Sequence, residues 1–351
     1  MQNRMNKKLL SPFAGVMIFV LVAVAGFAYV KWVPYYAKAF IAQSHHAIGD
    51  SILSGKAASA PPVSLSAAVD YAMAYGKAIW QALVLGLVLG SGIKVLLPAQ
   101  WISAVLGRLG FRSVALGSLF AIPCMMCTCC AAPVAVGMRQ SRASVGSVVS
   151  WWMSNPVLNP ATLVFMGFVL GWGWALFRVV LGIAMVLGVT HLAERYGGQH
   201  EAVSLEQRVT PEAEVPKDNL LIRWGREFVT LAIRLVPEYL VLVLLLGAAR
   251  VWLFPVLGAH DGIFWIVAMA LAGTLFVIPT AGEVPIVQAM FALGMGAGPA
   301  GALIMTLPAA SLPSLAMLGR VFSMRTRLVI AAGVALSGIV AGLIAMIVFN
   351  S

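Results

Sequence analysis

Four cysteines lie within seven positions of one apolar stretch, and the chain has no others. They are Cys124, Cys127, Cys129 and Cys130, in the segment PCMMCTCCAAP. Thiolate sulfur is a soft ligand that suits Cu(I) and other thiophilic species, and trivalent arsenic and mercury share this preference. The spacing is too tight for disulfides that staple distant segments, and a zinc site would need a second ligand pair or nearby histidines. The four residues are therefore candidate ligands for a soft metal or metalloid.

Two other interpretations of the cysteines stay open. Free cysteine behaves as a small apolar residue, and small residues are favoured where membrane helices touch. Cys127 and Cys130 also have the Cys-x-x-Cys spacing of thiol–disulfide couples, which would suit a relay that passes electrons across a membrane.

Polar residues beside prolines form a second group of candidates. Asn155 and Asn159 each precede a proline in SNPVLNP, where an amide can coordinate a polar solute or cap the next helix. Glu283 is the only acid in IPTAGEVP. Because a carboxylate inside a membrane is expensive, it is a functional candidate by default. It could couple transport to protons, offset a cation or pair with a basic residue.

The composition predicts where these residues lie. Of 351 residues, 61% are hydrophobic and 10% charged, whereas soluble proteins carry about 25% charged residues. The apolar runs are continuous, and the backbone in a bilayer must satisfy its own hydrogen bonds, which only helices and closed barrels do. We therefore expect an all-α polytopic membrane protein that is surrounded by lipid.

The apolar runs predict about nine transmembrane helices. A first span from Pro12 to Val30 is too long for a signal-peptide core. Eight further runs lie near residues 78–97, 114–135, 144–165, 172–193, 230–254, 262–290, 298–318 and 328–349. The predicted organisation is an N-terminal anchor (1–33), an extracytoplasmic segment (34–75), a first repeat (76–194), a hydrophilic linker (195–227) and a second repeat (228–351).

The net charge of +11 is best explained by basic residues in the short inner loops of a membrane protein. With the N-terminus inside, Arg108, Arg112 and Arg178 fall in such loops. We expect no nucleic acid partner, and homo-oligomer formation is left open.

An internal repeat is visible around the prolines. CTCCAAPVAVGMRQ can be laid without a gap over PTAGEVPIVQAMFA, so that Thr128 falls on Thr280 and Pro133 on Pro285. The same alignment brings Pro156 onto Pro308. Proline removes a helical hydrogen bond and disfavours helix in the residue before it, so each predicted four-span half contains two broken helices. Repeated halves with broken helices are typical of secondary transporters, whose substrate sites lie near the midplane.

This architecture predicts a substrate path at the breaks. Its residues are Cys127, Cys129, Cys130, Pro133, Asn155, Pro156, Asn159, Pro160, Glu283, Pro285 and Pro308, with Cys124 as an additional metal or metalloid ligand. The sequence contains no phosphate-binding glycine loop, Ser-His-Asp arrangement or paired catalytic carboxylates. We expect no enzymatic activity and no cofactor.

The segments CTCCAAPVAVGMRQSRASVGSVVSWWMSNPVLNPATLVF and EVPIVQAMFALGMGAGPAGALIMTLPAASLPSL resemble the predicted permease family of YraQ-type proteins and ArsP organoarsenical efflux permeases. The resemblance spans most of residues 76–320. It implies a multi-pass permease of a bacterial inner (plasma) membrane, and in the characterised branch of the family it implies export of trivalent organoarsenicals such as methylarsenite. It also implies roles in the path for Cys127, Cys129, Cys130, Pro133, Asn155, Pro156, Asn159 and Pro160. The chain has more thiols here than the arsenical exporters would suggest, which leaves the substrate open. Uptake of a small sulfur compound such as thiosulfate, which also needs reactive thiols, stays an alternative.

Overall fold

The computed structural model describes residues 12–53, 61–208, 219–254 and 262–349. Within these ranges the chain is built from α-helices, with one π-helical turn at Ala28–Trp32 and one 3-10 turn at Ile122–Cys124. The α-helices are α1 (Pro12–Phe27), α2 (Val33–His45), α3 (Leu65–Leu96), α4 (Ala99–Leu106), α5 (Phe111–Ala121), α6 (Thr128–Gln140), α7 (Val145–Val157), α8 (Pro160–Val169), α9 (Trp172–Arg208), α10 (Leu220–Leu253), α11 (Ile263–Leu275), α12 (Glu283–Ala292), α13 (Ala297–Ala309), α14 (Leu312–Leu318) and α15 (Met324–Phe349). The predicted all-helical class is confirmed for this part of the chain.

Six described stretches are long and apolar enough to cross a membrane. They are Phe13–His45, Leu65–Leu96, Trp172–Gly197, Leu220–Leu253, Ala297–Leu318 and Met324–Phe349. A seventh candidate consists of Ala99–Leu106 and Phe111–Cys124, which meet at an angle of 113°. The structure therefore supports a multi-pass membrane protein, while the predicted count of nine spans is not confirmed.

The difference between the predicted and the observed number of spans comes from the broken helices. The apolar runs predicted at 114–135 and 144–165 are divided, because α5 stops at Ala121 and α7 at Val157. Helices α6 and α7 have 13 residues each. At about 1.5 Å per residue such a helix is about 20 Å long, whereas the hydrocarbon core is about 30 Å thick. Neither helix can cross by itself.

The helix starts after the breaks carry their own capping residues. Asn159 caps α8 through its side-chain oxygen, which accepts hydrogen bonds from the backbone N–H groups of Ala161 and Thr162. Ser311 caps α14 in a reciprocal arrangement with Ser314. A proline stands at the first or second position after each of these caps, where its missing N–H is harmless. The same sequence features that end one helix therefore begin the next.

Close backbone packing joins α3 to the cysteine-bearing helix α6. A side chain at Gly86 or Gly90 would collide with the backbone oxygen of Cys130 or Pro133, respectively. Small residues four apart are a common way for membrane helices to approach closely. Helix α3 thus holds the backbone of the cysteine segment in position.

Helices extend into two segments that the sequence suggested were polar connections. The π-helical turn joins α1 to α2, so helical structure continues to His45, and α3 begins at Leu65, ahead of residue 76. In the predicted linker, α9 continues to Arg208 and α10 begins at Leu220. Residues 209–218 of that linker lie outside the described residues.

Candidate functional site

The broken helices of both predicted halves surround one small cavity. Its lining residues are Cys127, Thr128, Pro156, Thr162, Ile278, Pro279, Thr280, Ala281, Glu283, Leu307 and Pro308. The cavity has a volume of about 10 Å³, which is comparable to the space that one water molecule requires. Four of the predicted path residues line it, namely Cys127, Pro156, Glu283 and Pro308.

Two of the four cysteines form a pair beside this cavity. The Sγ atoms of Cys127 and Cys130 lie 2.8 Å apart, and both side chains are buried. Cys127 is the N-cap residue of α6 and its side chain makes no capping hydrogen bond. Because a helix N-terminus carries partial positive charge, this position suits a group that can become an anion.

The other two cysteines face different partners. The Sγ atom of Cys129 lies 3.6 Å from the hydroxyl of Ser311. The thiol of Cys124 donates to the backbone oxygen of Phe120 at 3.2 Å. The described residues contain no group of three or more Cys, His, Asp or Glu side chains that could hold a metal ion. The four thiols thus do not converge as one set of ligands, whereas Cys127 and Cys130 do come together.

The two asparagines organise the turns around the cavity. The side-chain oxygen of Asn155 accepts a hydrogen bond of 3.4 Å from the backbone N–H of Met126, and its amide donates to Trp151 at 3.0 Å. Asn159 is fully buried, and its Nδ2 has no partner within the described structure. Asn155 thus ties α7 to the cysteine turn, while Asn159 caps α8 and has an unused donor.

The remaining prolines lie within the helices that frame the cavity. Pro133 is in the middle of α6, Pro160 is the first residue of α8 and Pro285 lies in the first turn of α12. They shape the helices and do not contribute to the cavity lining.

Glu283 forms a buried ion pair with Arg178. Nη1 of Arg178 donates to Oε1 of Glu283 at 2.5 Å, and the two side chains are 0% and 2% exposed. Of the three roles considered for Glu283, the geometry shows the pairing with a basic residue. Arg178 lies within α9, so the assignment of this residue to an inner loop was wrong. From the sequence alone, an arginine that follows a Gly-Trp stretch looks like a loop residue, because its carboxylate partner Glu283 lies far away in the chain.

The same arginine satisfies the end of α7. Its Nη2 donates to the backbone oxygen of Pro156 at 2.6 Å, and its Nε donates to that of Val157 at 3.0 Å. The last carbonyls of a helix have no partner within the helix. Arg178 therefore links the broken end of α7 to the first residue of α12.

Hydroxyl-bearing residues were the main group that the sequence analysis missed. Thr128, Thr162 and Thr280 line the cavity. From α3, the hydroxyl of Tyr71 donates to the backbone oxygen of Val277, and that of Tyr75 to Ile278 at 3.5 Å. The match of Thr128 with Thr280 in the internal alignment was a usable signal for two of them. Nothing in the local sequence around the tyrosines pointed to the break before α12.

Comparison with known proteins agrees with the membrane-helical structure. The family model ArsP_1, described as "Predicted permease", matches residues 8–155 and 64–347. UPF0718 protein YraQ of Escherichia coli (strain K12) is 51% identical over 340 residues, which cover 94% of each chain. UPF0718 protein MJ0584 of Methanocaldococcus jannaschii is 22% identical over 298 residues, covering 67% of this chain and 80% of the relative. No solved structure matches. The breadth of the family match and the similarity to YraQ establish that this chain belongs to the predicted permease family.

Proposed function

We propose that the protein is a secondary permease of a bacterial inner membrane that moves a small thiophilic solute, with efflux of trivalent organoarsenicals or a related soft metal or metalloid as the leading case. The observation that carries the proposal is the Cys127–Cys130 pair, with sulfurs 2.8 Å apart, beside a cavity lined by the proline breaks. Two adjacent thiols can hold one soft atom between them. The name and description of the family support transport but do not identify the solute.

The chemistry of methylarsenite at this pair requires no redox change. Two sulfur–arsenic bonds form as two arsenic–oxygen bonds break. The two hydroxide groups leave as water with two protons that the site held. The reverse reaction releases the solute. Reversible exchange of this kind is what a carrier needs, because the solute must leave as well as bind.

The size of the cavity supports an alternating-access cycle. A space of about 10 Å³ holds about one water, so a methylated arsenical can enter only when the helices around it move. The ends of α7 and α12 are tied together by Arg178. In this proposal the structure represents the closed arrangement of the carrier.

Helix positions support the two-repeat architecture. Helix α7 starts at Val145 and α13 at Ala297, and counting from one to the other gives 152 positions. The same spacing separates the starts of α5 and α11, of α8 and α14, and of α9 and α15. We therefore propose two related halves that meet at the cavity.

Flux in proteoliposomes tests the proposed function. The panel contains methylarsenite, arsenite, Hg²⁺, Cu(I) and thiosulfate. We expect uptake of at least one thiophilic solute to require both Cys127 and Cys130. The matched control is Cys124→Ser, because the Cys124 thiol donates a hydrogen bond to the backbone oxygen of Phe120 and is absent from the cavity lining. Undiminished transport in the Cys127→Ser/Cys130→Ser variant would contradict a thiol-dependent path.

A membrane thiol–disulfide relay is the second candidate, because the same two sulfurs are close enough for redox exchange. A relay needs an external oxidant and a reductant on opposite sides of the membrane. Redox titration by mass spectrometry distinguishes the two functions. A reversible Cys127–Cys130 disulfide without solute flux favours the relay, whereas cysteine-dependent flux under reducing conditions favours the permease.

A further inference from the structure

The first helical segment buries one cation against the cavity. Lys31 lies in the π-helical turn Ala28–Trp32 and is 4% exposed. Its neighbours Tyr29 and Val33 are 72% and 67% exposed. Single π-helical turns are often found at functional sites. The turn thus directs one charged side chain inward from a helix that otherwise presents a large apolar surface.

Lys31 reaches the break before α12. Its Nζ donates to the hydroxyl of Thr280 at 3.0 Å and to that of Tyr35 at 3.1 Å. Thr280 lines the cavity together with Cys127. One threonine therefore places the ammonium at the cavity beside which the cysteine pair lies.

Within the described chain, Lys31 has no carboxylate partner. The ion pairs there include Lys94–Glu227, Arg178–Glu283 and Arg320–Glu238. Tyr35 contacts the ammonium, Cys127 shares the cavity with the ammonium's partner Thr280, and the cation Lys38 lies in the helix that continues from the π-helical turn. An unpaired ammonium buried in a membrane protein is expensive. Hydroxyl groups can accept its hydrogen bonds but do not supply a negative charge.

We propose that Lys31 provides the countercharge for a thiolate shared by Cys127 and Cys130, which makes the first helical segment part of the thiol site. The proposal rests on the thiol site of the proposed function and deepens it. Cys127 is at the N-terminus of α6, where the helix dipole also favours an anion. The thiolate is the form of cysteine that binds soft metals and attacks electrophiles. Two protons leave with water when an arsenical binds. Before binding, one of them is then part of the Lys31 ammonium and the other is on the thiol pair.

Thiol reactivity tests this assignment without measuring transport. A Cys124→Ser/Cys129→Ser parent retains Cys127 and Cys130, and the small reagent methyl methanethiosulfonate converts a thiolate to a mixed disulfide with release of methanesulfinate. We expect Lys31→Met to slow the modification at neutral pH by about tenfold or more, the effect of removing one nearby opposite charge. Lys31→Arg, which keeps the charge, should retain most of the rate. Lys77→Met, which removes an exposed cation from α3, is the control and should react as the parent does.

A second measurement does not depend on the folding of a Lys31 variant. The parent itself should show thiolate ultraviolet absorbance at neutral pH, and that absorbance should disappear in Cys127→Ser/Cys130→Ser. Unchanged reactivity in a folded Lys31→Met protein, or a parent without thiolate absorbance, would overturn the countercharge. Neither result would change whether flux depends on Cys127 and Cys130. Failure of this inference is therefore distinguishable from failure of the proposed function.

Discussion

The guanidinium of Arg178 and the carboxylate of Glu283 lie 2.5 Å apart although the residues are 105 positions apart in the chain. The pair connects α9 to the first residue of α12, and the remaining donors of Arg178 satisfy the end of α7. Because both side chains are almost completely buried, neither charge can be solvated if its partner is removed. Arg178 and Glu283 therefore fasten together two of the broken helices that line the cavity.

Removing one member of this pair should strongly destabilise the protein. Breaking a buried ion pair costs about 3–5 kcal/mol because the other charge remains without compensation. We expect Glu283→Gln and Arg178→Met each to lower the thermal unfolding temperature in detergent. The double variant Arg178→Met/Glu283→Gln should lose less stability than the sum of the two single variants, since no isolated charge is left.

The control for this effect is an exposed ion pair. Arg320 and Glu238 lie 3.2 Å apart with side chains 47% and 40% exposed. Exposed pairs contribute about 0–1 kcal/mol, so Arg320→Met should hardly change the unfolding temperature. Equal losses for Arg178→Met and Arg320→Met would contradict the fastening role.

The prolines and their caps made the breaks predictable from the sequence. Proline cannot donate the helical hydrogen bond, and an asparagine or serine one or two residues before it supplies a cap. This local chemistry is why Asn159 and Ser311 begin α8 and α14. The continuous apolar runs concealed the short length of the helices, and this led to nine predicted spans. Hydropathy reports burial in apolar surroundings and does not distinguish lipid from the interior of a helical protein.

The charged partners could not be predicted, because they depend on contacts between distant segments. Arg178 meets Glu283 across 105 positions, and Lys31 meets Thr280 across 249. A single charge in an apolar run fits a loop or a snorkelling position equally well. The functional roles of the predicted path residues stay predictions, which the flux and reactivity measurements address.

The contact between α3 and α6 should not tolerate a side chain at Gly90. A Cβ atom there would meet the backbone of Pro133, and backbone cannot move aside as a flexible side chain can. We expect Gly90→Ala to destabilise the protein by about 1–3 kcal/mol, as overpacking does, and to reduce any cysteine-dependent flux because α6 carries the thiols. Thermal unfolding in detergent measures the first effect.

Gly76 in the same helix provides the matched control. A Cβ atom at Gly76 would meet nothing within 4 Å, and alanine is the better helix former by about 1 kcal/mol. Gly76→Ala should therefore be neutral or stabilising. A Gly90→Ala protein as stable as Gly76→Ala would show that the two helices are not in close backbone contact.

Loss of the cap of α8 should destabilise the protein by an amount that depends on the residue that replaces Asn159. The Asn159 side-chain oxygen accepts from the N–H groups of Ala161 and Thr162 at 3.1 and 3.3 Å. Asn159→Ala should cost about 0.5–2 kcal/mol, whereas Asn159→Ser retains an oxygen acceptor and should cost less. Both variants lose the unpartnered Nδ2 donor. If that donor contacts the solute, both variants should weaken transport equally even though their stabilities differ. Measuring flux and unfolding temperature on the same variants therefore separates the capping role of Asn159 from a role in solute binding.

Oxidation should join Cys127 to Cys130 selectively. Their sulfurs lie 2.8 Å apart. The Cys124 thiol instead hydrogen-bonds the backbone oxygen of Phe120, and the Cys129 sulfur faces the hydroxyl of Ser311. We expect diamide, which accepts two electrons and two protons, to produce one internal disulfide in the wild type and in Cys124→Ser, but not in Cys127→Ser or Cys130→Ser. Mass spectrometry of the alkylated peptides identifies the linked residues, and a bond that mainly includes Cys124 would contradict the observed pairing. Because a disulfide has no thiol left for a soft atom, oxidation should also stop thiophilic flux until dithiothreitol restores it.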